Sequence, residues 1–208
     1  MSMRTPLTIS AAVEGLLDEA VICRLITYVG CAPGTVYVKN GKGALRQKLA
    51  AYNRAAQNSP WVILVDLDND YVCAPALRRA WLPNPAPRFR VAVREVEAWL
   101  MADSETLANF LDVSQSKIPA NPEAVSDAKL AMVNLARTSR RRDIQEDMPP
   151  RPGSGRAVGP AYTSRLIEYT NWHWRPGVAA QRADSLRRAL DCLRQLCGRD
   201  NKRNESRA

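Results

Sequence analysis

The sequence lacks any long hydrophobic segment. No stretch approaches the roughly 18 consecutive apolar residues that a membrane helix needs. The first twenty residues also lack a basic start followed by an apolar core, which is the pattern of a secretory signal. We therefore expect a cytoplasmic protein that does not enter a membrane.

Histidine, phenylalanine and closely spaced cysteines are scarce. The chain has five cysteines without a C-x-x-C pair, two phenylalanines and a single histidine, His173. Structural zinc sites draw on tightly spaced cysteine and histidine ligands, so the sequence disfavours such a site. We expect the five cysteines to be reduced thiols, most of them buried.

The composition is that of an ordinary globular protein. A chain of 208 residues buries roughly 70% of its unfolded surface and needs no disulfide or metal for that. Apolar residues make up 46% of the sequence and charged residues 25%, while 14 prolines indicate some irregular chain. These proportions exclude collagen-like, coiled-coil and wholly disordered chains.

The positive charge is concentrated in the last third of the chain. The net charge is +9, and residues 137–208 hold 16 Lys and Arg against 8 Asp and Glu. The chain has 24 arginines and only 6 lysines. Guanidinium groups bind phosphate oxygens in a bidentate way, so this bias favours a phosphate-bearing partner. The alternative is a basic tail that aids solubility or contacts acidic partners without specificity.

Short apolar runs alternate with helix-period segments along the first half of the chain. The runs at 7–13, 35–38, 61–65 and 89–93 predict strands. Helical spacing follows the first three at 16–26, 44–56 and 74–81, a proline-rich connection at 83–87 precedes the fourth, and a last helix begins near Glu95 or Glu97. This alternation predicts an α/β fold in which a parallel sheet is flanked by helices.

Acidic residues follow three of the four predicted strands. They are Glu14 after the first, Asp66 and Asp68 after the third, and Glu95 with Glu97 after the fourth. Ligands gather outside the carboxyl ends of parallel strands, so these carboxylates converge if the strands are neighbours. Like charges at close range need a cation or protons, and a hard ion such as Mg²⁺ or Mn²⁺ suits carboxylate ligands. The alternative is that the aspartates after the third strand serve only as turn and capping residues.

Two groups of residues carry a resemblance to known families. Val13-Glu14-Gly15, with Asp18-Glu19 downstream and an apolar strand ending in Asp66-Leu67-Asp68, resembles the TOPRIM domain of topoisomerases, primases and OLD-type nucleases. The segment R-E-V-E-A-W-L at 94–100 and the segment R-P-G-S-G-R at 151–156 resemble a bacterial TOPRIM-like family of unknown function. Members of that family often occur beside ATPases in candidate phage-defence loci.

The resemblance implies roles for individual residues. Glu14 stands where the TOPRIM glutamate acts as general acid or base or binds metal, and Asp66 and Asp68 stand where the metal-binding pair does. Glu95 or Glu97 completes a second metal position, and the residues leave open which of the two faces the site. No tyrosine nucleophile and no primase module is recognisable, so phosphodiester hydrolysis is the preferred reaction.

The segment 137–165 is rich in arginine and contains a glycine-rich loop at 149–160. Glycines let backbone N–H groups approach phosphate, and flanking arginines can clamp it. The loop matches neither the P-loop nor the dinucleotide fingerprint, and the alternative is a flexible linker. The residues expected to bind nucleic acid are Arg94, Arg140, Arg141, Arg151, Arg156 and Arg165.

Most of the tryptophans are assigned to packing. Trp99 is expected in the core, and Trp172-His173-Trp174 is more typical of partly buried packing than of base stacking. Leucines at helical spacing predict a final helix over about 180–197 that docks on the body.

The sequence thus predicts a TOPRIM-like α/β core at 1–105, a basic extension of helices and loops at 106–198 packed on it, and a disordered tail at 199–208. The expected function is metal-dependent hydrolysis of phosphodiester bonds in DNA or RNA. A role in phage defence and an ATPase partner are implied by the resemblance alone. The alternatives are a non-catalytic module that binds nucleic acid or an ATPase, and hydrolysis of a nucleotide or another phosphorylated small molecule.

Overall fold

The structure is a computed structural model, and it describes residues 6–82 and 89–205, with the side chains of 199–205 left out. Four strands form one parallel sheet in the order β2-β1-β3-β4. They are β1 (Thr8–Val13), β2 (Ala32–Val38), β3 (Trp61–Asp66) and β4 (Phe89–Ala92). The predicted α/β class and the four parallel strands are therefore confirmed. The order also makes β1, β3 and β4 direct neighbours, so their carboxyl ends lie side by side.

Helices connect the strands and form the second half of the chain. Those between strands are α1 (Leu16–Tyr28), α2 (Lys42–Asn58) and α3 (Ala74–Trp81). After the sheet come α4 (Val96–Met101), α5 (Ser104–Leu111), α6 (Ala128–Arg137), α7 (Arg142–Asp147), α8 (Tyr162–Trp172), α9 (Pro176–Ala179) and α10 (Asp184–Glu205), with short 3-10 turns at Gln115–Lys117 and Pro122–Ala124.

The sheet separates two apolar cores because side chains of a strand alternate between its faces. In β3, Val62 and Leu64 belong to the larger core, which includes buried side chains of α1, α4, α5, α6, α8 and α10. Ile63 and Val65 belong to the smaller core, formed with α2 and α3. Both faces of the strand are covered, as its unbroken apolar sequence predicts.

The basic extension shares the larger core with the sheet. Trp99 is fully buried, as predicted, and its indole N–H donates to Ser185 Oγ of α10 at 2.7 Å. Trp174 is also buried and donates to the carbonyl of Trp99 at 3.3 Å, whereas Trp172 is 80% exposed. The packing interpretation therefore applies to Trp174 and not to Trp172. The leucines of α10 are buried at helical spacing, at positions 186, 190, 193 and 196.

The end of the chain differs from the expectation. Helix α10 begins at Asp184 and continues to Glu205, beyond the predicted end at Cys197 and into the segment expected to be disordered. Residues 206–208 lie outside the described residues, as does the predicted proline-rich connection at 83–87. None of the described helices is both long and apolar enough to cross a membrane.

The expectation that all cysteines are reduced is wrong. Cys31 and Cys197 form a disulfide with their Cα atoms 6.4 Å apart, whereas Cys23, Cys73 and Cys192 are free. The two partners are 166 residues apart in sequence, so no local spacing announces the pair. The bond joins the residue before β2 to α10, and it therefore fastens the extension next to the sheet.

Candidate functional site

A cavity of about 380 Å³ opens at the carboxyl ends of β1 and β3. The first turns of α1 and α4 contribute to its wall, and the extension contributes residues of α6 and α8. Five carboxylates lie in its lining: Glu14, Asp18, Asp66, Asp68 and Glu97. The carboxyl edge of the sheet is thus an acidic cavity that the basic extension partly covers.

Glu14 and Asp66 are in direct contact because β1 and β3 are neighbours. The backbone N–H of Asp66 donates to Glu14 Oε1 at 2.9 Å. Asp66 Oδ1 in turn accepts a hydrogen bond from the N–H of Val96 at the start of α4, at 3.0 Å. These two carboxylates link the ends of β1 and β3 to the beginning of α4.

Asp68 lies in the turn after β3 and is held by a lysine. Its backbone is in the left-handed region, with φ of 50°, and its N–H donates to the carbonyl of Arg94 at 2.9 Å. Its Oδ2 accepts from Lys42 Nζ at 2.6 Å, and the same ammonium group binds Asp70 at 2.7 Å. Asp68 lines the cavity while Asp70 does not. The capping and turn interpretation of these aspartates is therefore incomplete, because Asp66 and Asp68 also line the cavity.

Glu97, and not Glu95, faces the acidic cavity. Its Oε1 accepts a hydrogen bond from the hydroxyl of Tyr162 at 3.2 Å, and its Oε2 is buried without a hydrogen-bond partner among the described residues. Glu95 lines a smaller neighbouring cavity and accepts bonds from the backbone N–H and the Nζ of Lys129, at 2.8 and 3.0 Å. The choice that the sequence leaves open is decided by the start of α4 at Val96, which places Glu97 inside the first turn.

Four residues of the site are not predicted from the sequence: Asp18, Lys129 and Tyr162 line the cavity, and Lys42 binds Asp68. Asp18 accepts a hydrogen bond from the N–H of Gly15 at 2.7 Å and thereby holds its carboxylate at the start of α1. The sequence feature that could have indicated Asp18 is its position three residues after Gly15, the glycine that follows the first predicted strand. Lys42 follows β2 at the same edge of the sheet. Lys129 and Tyr162 belong to the extension, and nothing local in the sequence indicates that they reach the cavity.

Four carboxylates of the cavity, those of Glu14, Asp18, Asp66 and Glu97, are held in an environment that disfavours their charge. Burial raises the pKa of Asp66 well above its ordinary value, and the charges of Asp18 and Glu97 raise it further. Burial likewise raises the pKa of Asp18 to about 7, and the pKa values of Glu14 and Glu97 are raised for the same reason. Two ammonium groups, those of Lys42 and Lys129, lie near the five carboxylates of the lining and favour the charged form of Glu14.

A hard divalent cation fits this donor set. Carboxylate oxygens are the ligands that Mg²⁺ and Mn²⁺ prefer, and the buried Oε2 of Glu97 has no hydrogen-bond partner among the described residues. Within 6–82 and 89–205, no group of three or more Asp, Glu, Cys or His side chains is arranged so that it could hold a metal ion, so ion binding requires the carboxylates to move closer together. The residues that would hold the ion are Glu14, Asp18, Asp66, Asp68 and Glu97.

The six arginines predicted to bind nucleic acid fall into two groups. Arg140 pairs with Asp112, Arg141 with Asp143, and Arg165 with Asp143, Asp147 and Glu168, and none of the three lines the acidic cavity.

The other three arginines lie beside the acidic cavity. Arg94 donates to the carbonyl of Asp68 at 3.0 Å. Arg151 and Arg156 line a third cavity, and Val158 belongs to the lining of both this cavity and the acidic one. This second group is therefore the part of the predicted interface that adjoins the carboxylates.

Comparison of the chain with protein-family models, with curated proteins and with solved structures finds no match. The geometry of the acidic cavity and the charges around it are therefore the observations that bear on the function of the chain.

Proposed function

We propose that this protein is a metal-dependent phosphodiesterase that cleaves nucleic acid. The observation that carries the proposal is the convergence of Glu14, Asp18, Asp66 and Glu97 on one cavity at the carboxyl edge of a parallel sheet. A shared cation offsets the repulsion between such neighbouring carboxylates, and magnesium-type sites commonly complete their coordination with substrate phosphate. The net charge of +9 favours a polyanionic substrate.

Each residue of the cavity has a role that follows from its contacts. A bound Mg²⁺ or Mn²⁺ would polarise a phosphate oxygen and neutralise the charge that develops on it. Glu14 holds one oxygen on the backbone of Asp66, and its raised pKa suits it to accept and release a proton. Tyr162 orients Glu97 by a hydrogen bond. The ammonium group of Lys129 lies within the lining and can bind a phosphate oxygen.

The proposal is tested by incubating the purified protein with labelled DNA and RNA in Mg²⁺ or Mn²⁺. The variants are Asp66→Asn and Glu14→Gln, which keep an oxygen acceptor for the backbone N–H groups of Val96 and Asp66. We expect the wild type to cut at least one substrate and each variant to lose more than about 100-fold, the upper end for residues that only support metal ligands. Asp70→Asn is the matched control, because Asp70 shares the Lys42 contact but does not line the cavity.

Three outcomes separate the candidate functions. Binding of nucleic acid without cleavage under any metal condition would favour the non-catalytic module. Cleavage only of nucleotides or small phosphate esters would favour hydrolysis of a phosphorylated small molecule as the function. Equal loss of activity in Asp70→Asn and Asp66→Asn would show that the cavity is not the site. The TOPRIM relationship, the ATPase partner and the role in phage defence stay predictions from the resemblance.

A further inference from the structure

The loop between α7 and α8 is fixed at its base and open at its tip. At the base, the N–H of Gly159 donates to the carbonyl of Met148 at 2.7 Å, and the N–H of Ala161 donates to the carbonyl of Asp147 at 3.0 Å. A side chain at position 159 would collide with the backbone oxygens of Asp147 and Pro149, so only glycine fits there. Residues 151–157 are all exposed. The loop is therefore an anchored projection, and the linker interpretation does not describe it.

The tip of this loop forms a basic, polar cavity. Arg151, Ser154 and Arg156 line a space of about 410 Å³ together with Val158 and Pro160. Gly153 and Gly155 adopt positive φ angles of 74° and 66°, which turn the chain sharply between the two arginines. Two guanidinium groups and a hydroxyl on one concave surface match the oxygens of a phosphate group.

Neither arginine of the loop forms an ion pair with a described residue. By contrast, many arginines of the extension are neutralised by an acid within 3.3 Å: Arg140, Arg141, Arg142, Arg165, Arg175, Arg187, Arg188 and Arg194. The positive charge of these arginines is largely compensated by carboxylates of the same chain. Arg151 and Arg156 keep theirs available for a ligand.

The basic cavity adjoins the acidic one. Val158 lies in the lining of both, and Ala157 lies in the lining of the smaller cavity that contains Asp68 and Glu95. A substrate with one phosphate at the carboxylates would leave the loop empty. A strand with successive phosphates can place one at the carboxylates and a neighbouring one between Arg151 and Arg156.

From this arrangement we infer that the loop 151–156 binds a phosphate that flanks the scissile one, so that the substrate is a nucleic-acid strand and not a single-phosphate ester. This inference rests on the proposed function, because it takes the acidic cavity as the place of cleavage. It gives the neighbouring phosphate, and with it the polymer, a defined binding site on the protein.

The test compares Arg151→Ala/Arg156→Ala with Arg142→Ala/Arg188→Ala, a control that removes the same charge from exposed ion-paired positions. Affinity for fluorescein-labelled single-stranded DNA and RNA is measured in EDTA as a function of salt. Loss of one phosphate contact should reduce the steepness of the plot of log K against log salt by about 0.7. We also expect affinity at low salt to fall at least about tenfold, since charged hydrogen bonds are lost. The control should bind like the wild type.

A second readout separates this inference from the proposed function. With Mg²⁺ or Mn²⁺, the loop variant should lose cleavage of the oligonucleotide but keep its rate on bis(p-nitrophenyl) phosphate, which has a single phosphate. Binding that depends on the loop without any cleavage would support a phosphate site in the loop but overturn the proposed function and, with it, the statement that this phosphate flanks a scissile one. Equal affinity and slope in the loop variant and the control would overturn the inference. A wild type that binds neither DNA nor RNA would also overturn the inference.

Discussion

Replacing Asp18 by asparagine should stabilise the metal-free protein at alkaline pH. Asp18 is 7% exposed, and burial together with the charges of Glu97 and Glu14 raises its pKa from 3.8 to about 7. A pKa that is higher in the folded state gives stability that is complete below the unfolded value of 3.8 and is lost as the pH rises through 7. A rise in this pKa from 3.8 to about 7 corresponds to about 4 kcal/mol. The asparagine avoids this loss and can still accept the hydrogen bond from Gly15.

The magnitude sets the assay. Thermal unfolding in EDTA should show nearly equal midpoints for wild type and Asp18→Asn at pH 4. At pH 8 the variant should be more stable by up to about 4 kcal/mol, which is about 10 °C for a chain of this size. Glu19→Gln, a neighbour on α1 that does not line the cavity, should change stability by less than about 0.5 kcal/mol. A variant that gains nothing at pH 8, or gains equally at both pH values, would refute the argument that buried like charge destabilises this site.

Other parts of the fold give further predictions. Asp103 is fully buried, and although burial alone would raise its pKa, the hydrogen bonds from Arg175 lower it below the ordinary value. Arg175→Ala should therefore cost about 3 kcal/mol at pH 7, measured by urea unfolding, and less as the pH falls through the folded pKa of Asp103; an equal cost at pH 3 and pH 7 would contradict this. Leu190→Ala, in the core face of α10, should cost about 3 kcal/mol in one cooperative transition of the whole chain. A separate transition for the extension would contradict the shared core. Reduction of the Cys31–Cys197 disulfide should lower the free energy of unfolding in urea by about 2–4 kcal/mol, and the stability of Cys31→Ser/Cys197→Ser should not change with reductant.

The sheet and its acidic edge could be predicted because their signals are local. An apolar run such as 61–65 predicts a strand that is covered on both faces, and parallel strands bring the residues that follow them to one edge. Glu14, Asp66 and Asp68 were found in this way. Their approach depends on strand order, which the sequence does not contain, and the contact between Glu14 Oε1 and the N–H of Asp66 follows from β1 lying beside β3.

The rest of the site depends on packing between distant segments. Lys129 and Tyr162 reach the cavity because α6 and α8 dock on the larger core, and no local pattern distinguishes them from other lysines and tyrosines. The role of Glu97 depends on where β4 ends and α4 begins, a boundary that alternation and helical period leave open by a few residues.

The distribution of charge along the sequence indicates the basic extension, but it does not show which arginines lack an ion-pair partner in the fold. Arginine content alone does not reveal which guanidinium groups are neutralised inside the fold. Arg141 and Arg165 share Asp143, whereas the loop arginines have no acid beside them among the described residues. The disulfide could not be predicted for the same reason, because its two cysteines are 166 residues apart in sequence and meet only in the folded chain.

The most direct test of the account is calorimetric titration of the protein with Mn²⁺ at pH 7.5. We expect saturable binding to the wild type, at least about tenfold weaker binding to Asp66→Asn and Glu97→Gln, and unchanged binding to Asp70→Asn. Absence of saturable binding to the wild type, or equal affinity in Asp66→Asn and Asp70→Asn, would contradict the claim that the carboxylates at the edge of the sheet jointly hold a divalent cation.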